Sequence, residues 1–385
     1  HCSDLHLGKR VHECSMTEEQ RHILKQIASI AVAQQVDGII IAGDLYDKLV
    51  PSIEAVGLLD EFLTSLWEQH LPVYLISGNH DSPERLSFGT QLLEQNDVYL
   101  AGIFTGKAQH LSLQDAYGAL ELYLLPFIKP AVVRSFYPEE SIETYEDAVR
   151  VVLSHSHIDP QKRNVLVAHQ FVTNNGREPE RSDSETLSVG ALDQVDVSLF
   201  DGFDYVALGH IHKPQILIRD QAAFSGALEP IDRNDTGEHG YMEGRLINVT
   251  IVELKEKGIV LLEQIPLQPI HDLREIRGTL SSLLQPEVVA QGDPQDYLRV
   301  ILTDEIPPYD PLGQLRQVYP NLLRLDFERN EAAAMESITA AQDVEEKTIM
   351  ELFSDFYEMA NDRSMNEAER AVMEQIWKEQ GGVAL

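Results

Sequence analysis

Short apolar runs alternate with amphipathic segments over the first 265 residues of the chain. The runs at 36–43 and 72–77 are typical of buried strands, because they are short and rich in Ile, Val and Leu. Residues 17–20, Thr-Glu-Glu-Gln, match a helix capping box, and apolar residues then recur at helical spacing from 23 to 31. This alternation predicts a layered α/β core with helices outside it.

The rest of the chain is predicted to contain three further segments. A smaller α/β unit is expected at 266–327, with a strand at 297–302. A polar stretch rich in Ala and Glu at 328–343 indicates a linker, and 344–385 is predicted to form two helices. Within the large unit, 171–190 is polar and lacks periodicity, so we expect an exposed loop there.

The two predicted C-terminal helices carry apolar stripes that no neighbouring segment is predicted to cover. They could fold back on their own domain, or they could dock into a groove on a partner protein. We favour docking on a partner. The residues expected at that contact are Leu352, Phe353, Phe356, Val372 and Ile376.

Composition restricts the class of protein. Apolar residues make up 43% of the chain, a globular proportion, and no run of eighteen apolar residues predicts a membrane span. Cys2 and Cys14 are the only cysteines and do not form a CxxC pair, so we expect a reducing cytoplasm and no zinc–thiolate site. Because the chain begins at His1 rather than at a methionine, we expect the start of a first strand to lie upstream.

The formal net charge of −33 weighs against nucleic-acid binding, which usually needs a basic patch. Bound divalent cations would supply positive charge that the residue count omits. A partner subunit could also carry much of a nucleic-acid contact. Acidity therefore argues against a nucleic-acid substrate without excluding it.

Five polar clusters follow predicted strands. They are Asp4-Leu5-His6, Gly43-Asp44-Leu45-Tyr46-Asp47, Gly78-Asn79-His80-Asp81, His169 and Gly209-His210-Ile211-His212. Active sites of α/β sheets gather at the carboxyl ends of strands. Carboxylate, amide and imidazole donors suit Mn²⁺, Fe or Zn²⁺. Alternation within Asp4-x-His6 and within His210-x-His212 lets two side chains on one extended segment point the same way.

Each cluster also has a simpler interpretation. Asp44 could cap a helix, and a single histidine such as His169 is more often a hydrogen-bonded structural residue than a ligand. The five clusters together, in this order, make coincidence a poor explanation.

The ordered set D-x-H, GD-x-x-D, GNHD, H and GH-x-H resembles the signature of calcineurin-like metallophosphoesterases. Longer blocks resemble the nuclease subunits of bacterial SbcCD complexes: HCSDLHLGKR, IAGDLYD, ISGNHDSPERL, LLPFIKP and FDYVALGHIHKPQ. The resemblance covers most of 1–220 and continues more weakly to 327, whereas 223–241 departs from it. It implies a sandwich of two sheets flanked by helices over 1–265, a small DNA-capping domain over 266–327, and a C-terminal helix pair.

The resemblance also implies roles for the clustered residues. One ion would be held by Asp4, His6, Asp44 and His212. The second would be held by Asp44, Asn79, His169 and His210. Asp44 would bridge two Mn²⁺ ions, although the ligand set also suits Fe or Zn. His80 would donate a hydrogen bond or proton to the phosphate or the leaving oxygen, and Asp81 would orient His80.

The activity implied is that of a Mn²⁺-dependent DNA nuclease, an exonuclease on double strands and an endonuclease on single strands. It would act in break repair with an SbcC-type coiled-coil ATPase, as a homodimer through helices near 50–100, in the nucleoid region of the cytoplasm. A small-molecule or cyclic-nucleotide phosphodiesterase on the same core is the main alternative. A non-catalytic scaffold is a third, and the intact ligand set argues against it.

Overall fold

The computed structural model describes residues 1–12, 14–174, 193–211, 215–216, 222–225, 248–304, 306, 308–328, 354 and 370, and for 215–216 and 222–225 it describes the backbone alone. Its helices are α1 (Thr17–Ala33), α2 (Ile53–Glu68), α3 (Pro83–Leu86), α4 (Thr90–Glu94), α5 (Pro130–Phe136), α6 (Tyr145–His155), α7 (Leu280–Leu283), α8 (Pro286–Val289) and α9 (Pro311–Val318), with a 3-10 helix at Val197–Phe200. Its strands are β1 (Arg10–Val11), β2 (Cys14–Ser15), β3 (Ile39–Ala42), β4 (Val73–Ile76), β5 (Val98–Ala101), β6 (Gln109–Asp115), β7 (Gly118–Leu125), β8 (Arg163–His169), β9 (Phe171–Thr173), β10 (Gln194–Asp196), β11 (Tyr205–Gly209), β12 (Gln215–Ile216), β13 (Ala222–Ser225), β14 (Asn248–Leu254), β15 (Val260–Pro266), β16 (Leu273–Gly278), β17 (Tyr297–Leu302) and β18 (Leu322–Phe327).

Two sheets face each other in the larger part of the protein. Strands β3, β4 and β5 form a parallel three-stranded sheet. The second sheet has the order β12-β13-β11-β8-β7-β6, and its strands β13, β11, β8 and β7 run parallel. Side chains such as Ile76, Val167 and Ala207 pack between the sheets and are fully buried. Strands buried on both faces explain why the sequence shows continuous apolar runs here rather than alternation.

Helices cover the outer face of each sheet, as the sequence predicts. Ile27 of α1 and Leu59 of α2 pack against Leu75 of the three-stranded sheet. Val149 of α6 packs against Leu166 on the other side. The layers are therefore helix, sheet, sheet and helix, which is the α/β sandwich expected from the sequence.

A smaller unit follows the sandwich. Strands β16, β17 and β18 form a parallel sheet, and its core includes Val300, Leu315 and Tyr319. The Tyr319 hydroxyl donates to the Leu283 carbonyl at 2.7 Å and so ties α9 to α7. The strand predicted at 297–302 is confirmed.

The capping box predicted at the start of α1 is wrong. The N-cap of this helix is Met16, and no side chain caps it. Gln20, which would have completed the box, and its neighbour Glu19 have tertiary partners instead. The Glu19 carboxylate accepts from the backbone amide of Ile270 at 2.9 Å. The side-chain carboxamide of Gln20 donates to the backbone of a loop in the candidate site described below. Tertiary contacts have taken precedence over the local pattern.

The exposed loop predicted at 171–190 is wrong at its start. Phe171–Thr173 forms the buried strand β9, which pairs in parallel with β10. The remainder of that prediction, 175–190, lies outside the described residues. A strand of only three residues gives too short a signal for an interpretation based on periodicity.

Predictions for the C-terminal part concern residues that are not described. The linker at 328–343 and the helix pair at 344–385 lie outside the described residues, except for 328, 354 and 370. The same holds for the proposed partner contacts Leu352, Phe353, Phe356, Val372 and Ile376. Among the described residues, no helix is both long and apolar enough to cross a membrane.

Candidate metal centre

The polar clusters meet where strands of both sheets end. Asp44 follows β3 and Asn79 follows β4 in one sheet, while His169 ends β8 and His210 follows β11 in the other. Strands β8 and β11 are neighbours, with Gly209 paired to His169, so their terminal histidines lie side by side. The carboxyl edges of two facing parallel sheets thus bring four clusters to one place.

Asp4 and His6 reach this place by a route that the sequence did not predict. They do not lie on an extended segment: both have left-handed backbone, with φ of 55° and 41°. Their amides donate to the carbonyls of Gly43 and Asp44, each at 3.0 Å. Side chains two residues apart face the site because the backbone turns at each of them, and not because a strand is pleated.

Gly78 allows the close packing of the site. A Cβ built on Gly78 would overlap the carboxylate and the amide nitrogen of Asp44. The backbone after β4 can pass this close to Asp44 only because glycine has no side chain.

Asp44 is the centre of the donor set, with 1% of its surface exposed. Its Oδ2 lies 3.3 Å from Nε2 of His169 and 3.7 Å from Nε2 of His6. Two groups of donor residues occur, and within each group the donor atoms lie within 4.8 Å of one another: Asp4 with Asp44 and His169, and His6 with Asp44 and His80. Asp44 belongs to both groups.

Asn79 links the two histidines of the second sheet. Its Oδ1 lies 3.0 Å from Nε2 of His169 and 2.8 Å from Nδ1 of His210. Neighbouring ligands of an octahedral ion with bonds of about 2.1 Å lie roughly 3 Å apart. The Ala42 carbonyl, 2.8 Å from Nδ1 of His169, can only accept, so Nδ1 carries the proton and Nε2 is the donor atom facing the site. These residues fit a divalent metal ion.

The ionisation of the buried pair agrees with this fit. Burial lowers the pKa of His169, but the carboxylates of Asp44 and Asp4 outweigh it and raise that pKa to about 9. Burial likewise raises the pKa of Asp44, yet His169 and then His6 hold it well below its usual range. Without metal, a second proton on the His169 ring makes the ring positively charged beside Asp44. A divalent cation can take over that role.

His80 lies at the edge of the site and is half-buried. Its amide donates to Oδ1 of Asp44 at 2.8 Å, and its Nδ1 lies 3.1 Å from the Asp47 carbonyl. The His80 ring meets the His6 ring edge-on, with centroids 4.8 Å apart. His80 is therefore close enough to contact a substrate held at the donor set.

Asp81 contacts the backbone of the loops around the donor set. Its carboxylate accepts from the amides of Leu45, Tyr46 and Gly78 at 2.9–3.0 Å, and among the described residues it makes no hydrogen bond to the His80 ring. Burial and the charge of Asp44 raise the pKa of Asp81 to about 6. Asp81 thus joins the loop that carries Asp44 to the loop that carries Asn79.

Some residues around the donor set were not predicted, and one predicted ligand is not described. His212, expected as a ligand, lies outside the described residues. Sequence reasoning also missed residues that contact the ligands. The Ser3 hydroxyl donates to Oδ2 of Asp4 at 2.5 Å. The Phe127 ring stacks on the His210 ring, with the ring centroids 6.3 Å apart. Neither has a sequence signal of its own, although Phe127 falls within the LLPFIKP block.

Comparison with known proteins agrees with this geometry. The family model for calcineurin-like phosphoesterases matches residues 1–214. A second model, described as the type 5 capsule protein repressor C-terminal domain, matches 269–361. The chain therefore belongs to the calcineurin-like phosphoesterase family and is a metal-dependent phosphodiesterase.

Similar proteins narrow the class further. The chain is 31% identical to the D subunit of the nuclease SbcCD of Staphylococcus epidermidis, over 96% of this chain and 95% of that protein. It is 32% identical to the protein of the same name from Staphylococcus saprophyticus, over 92% of this chain and 91% of that protein. The resemblance to SbcCD nuclease subunits predicted from the sequence is confirmed, and with it a nuclease function.

Proposed function

We propose that this chain is a Mn²⁺-dependent DNA nuclease, an exonuclease on duplex DNA and an endonuclease on single strands, acting with an ATPase partner in break repair. The observation that carries the proposal is the buried Asp44 carboxylate, which belongs to two groups of donors at once. Paired cations about 3.5–4 Å apart activate water and neutralise charge on phosphoryl oxygens during phosphodiester cleavage. A carboxylate, which has two oxygens, can bridge such a pair, whereas a histidine cannot.

The ligand sets proposed for the two ions share Asp44. One ion would be held by Asp4, His6, Asp44 and His212. The other would be held by Asp44, Asn79, His169 and His210. The mixture of oxygen and imidazole donors suits Mn²⁺, with Fe and Zn as alternatives. The short distances from Asn79 to both of its histidines support the second set.

His80 would protonate or hydrogen-bond the leaving oxygen. The Asp47 carbonyl is an acceptor, so Nδ1 of His80 carries a proton and Nε2 is the nitrogen left to meet the substrate. To donate from Nε2, the ring must first take up a second proton, as a general acid does. Asp81 would affect catalysis only by fixing the backbone of the loops that carry Asp44 and Asn79.

The first experiment compares cleavage of a linear DNA duplex with Mn²⁺ by the wild type and by His80→Ala. His22→Ala is the matched control, since His22 is a partly exposed residue of α1 that belongs to neither donor group. We expect His80→Ala to lose cleavage while it still binds two ions, and the control to keep both properties. Binding of a single ion by His80→Ala would instead make His80 a ligand, because His80 also lies in a donor group with His6 and Asp44.

The same assay tests the substrate class. Hydrolysis of bis(p-nitrophenyl) phosphate without cleavage of DNA would favour the small-molecule phosphodiesterase or a missing partner. Addition of an SbcC-type ATPase then separates these outcomes, because only a nuclease that lacks its partner gains DNA cleavage.

The partners are proposed on two grounds. The relatives carry the name of one subunit of an SbcCD nuclease, and we infer for this chain an SbcC-type ATPase bound through the segment 344–385. We also infer a homodimer through α2–α4, because Ile53 and Phe88 expose 88% and 89% of their surfaces there. Light scattering of Ile53→Asp with Phe88→Asp should give the monomer mass, and a wild-type monomer would contradict the homodimer.

A further inference from the structure

Gln20 lies in the first turn of α1, and its side chain is buried although it is polar, with 4% exposed. Its Nε2 donates to the carbonyls of Leu5 at 3.1 Å and His6 at 2.8 Å. Its Oε1 accepts from the Gly8 amide at 3.0 Å. One carboxamide thus bonds three backbone groups of the loop that carries His6.

This loop has an unusual backbone. Asp4, His6 and Gly8 are all left-handed, with φ of 55°, 41° and 87°. Left-handed backbone at a residue other than glycine is unfavourable and persists only where surrounding contacts impose it. The segment needs such contacts on both of its edges.

The two edges have different partners. On one edge, the amides of His6 and Leu7 donate to the carbonyls of Asp44 and Leu45, at 3.0 and 2.9 Å. On the other edge, Gln20 supplies the three bonds already described. Only a primary amide offers two N–H donors and one acceptor oxygen in this space, and a Glu carboxylate would face two carbonyls that it cannot bond.

We propose that Gln20 is a positioning residue for the metal site: its carboxamide fixes the left-handed loop so that Asp4 and His6 face the ion. The proposal rests on the proposed function in that Asp4 and His6 are taken as ligands of one ion. Gln20 touches neither ion nor substrate and acts through the backbone of the loop. Residues that orient metal ligands typically change metal affinity by 10–100-fold when they are replaced.

The test is a Mn²⁺ titration of metal-free Gln20→Met, which keeps the length of the side chain and removes its hydrogen bonds. We expect one of the two ions to bind at least about tenfold more weakly and the other to stay within about threefold. Amide exchange at Gly8 should also become faster in the metal-free protein. The matched control is Gln34→Met, at the exposed C-cap of the same helix.

Two further variants identify the weakened ion. In a His6→Ala background Gln20→Met should weaken the same ion by a smaller factor, because Asp4 is then the one remaining ligand that Gln20 positions. In a His169→Ala background the effect should persist. Gln20→Glu is the second substitution if Gln20→Met does not fold, and it should weaken the same ion.

The outcomes separate this inference from the proposed function. If the wild type does not bind two ions, the proposed function fails. If the wild type binds two ions and the Gln20 variants weaken both equally, or neither, Gln20 has a general structural role or none and the positioning proposal is overturned.

Discussion

Replacing Gly78 by Ala is a severe test of the site geometry, although it adds only one methyl group. The Gly78 amide donates to Oδ2 of Asp81 at 2.9 Å, and alanine keeps that bond. Gly78 is not among the glycines with positive φ, so alanine is not strained by backbone conformation. The perturbation is therefore the volume of the methyl alone.

The methyl would occupy the space of the Asp44 carboxylate and amide nitrogen. To restore van der Waals contact, Asp44 or the end of β4 must move by roughly 1 Å, and a displacement of that size can reduce the rate about 100-fold. Overpacking of this kind also costs about 1–3 kcal/mol of stability. Because Asp44 is shared by both donor groups, both ions should bind more weakly, unlike the result expected for Gln20→Met.

The measurements are metal content, cleavage rate and unfolding midpoint of Gly78→Ala. Gly57→Ala is the matched control, since no heavy atom lies within 4 Å of a Cβ built there. Gly57 lies inside α2, where alanine should stabilise the helix by about 0.5–1 kcal/mol. If Gly78→Ala binds two ions normally and cleaves at the wild-type rate, Asp44 does not need its observed position and the two-ion interpretation fails.

Three other predictions follow from buried groups. Arg163→Met should lower the free energy of unfolding by about 2–3 kcal/mol in urea titrations, because the Arg163 side chain is 7% exposed and loses a two-point ion pair with Asp115. Arg150→Met, in an exposed pair on α6, should stay within about 0.5 kcal/mol. Iodoacetamide should label Cys14 well before Cys2 in the native protein, as judged by mass spectrometry, since burial raises the pKa of Cys2 to about 11; equal labelling would contradict this. The metal-free protein should lose stability as the pH rises from 6.5 towards 9. The folded-state pKa of His169, about 9, lies above its unfolded value of 6.5. The stabilisation by protonated His169 is therefore complete below pH 6.5 and is lost as the pH rises through 9. Saturating Mn²⁺, which binds the neutral ring, should abolish this slope in thermal melts, and a slope that persists would count against His169 as a ligand.

The strands and the order of the site clusters are predictable from the sequence for a physical reason. Buried parallel strands are short apolar runs, and a polar residue directly after such a run marks the end of a strand. Asp44 and Asn79 follow β3 and β4 in just this way. Their convergence then follows from the rule that parallel strands share one carboxyl edge.

The contacts that hold the ligands are not predictable in the same way. The left-handed backbone at His6 depends on bonds to Asp44 and Gln20, which are distant in sequence. Gln20 itself matches a local capping pattern, and only the folded chain shows that its amide is used elsewhere. The resemblance implies that Asp81 orients His80, but neighbouring residues of a loop need not point at each other.

The charge of the site also bears on the acidity of the chain. Asp44 and Asp81 are 1% and 2% exposed, and among the described residues their partners are imidazole rings and backbone amides rather than Lys or Arg. Burying carboxylates without a strong cation is costly, which is why the pKa of Asp81 rises to about 6. Divalent ions at Asp44 would remove that cost and place positive charge where a phosphate must bind. The net charge of −33 therefore does not describe the surface that the substrate meets, because the sequence count omits the ions.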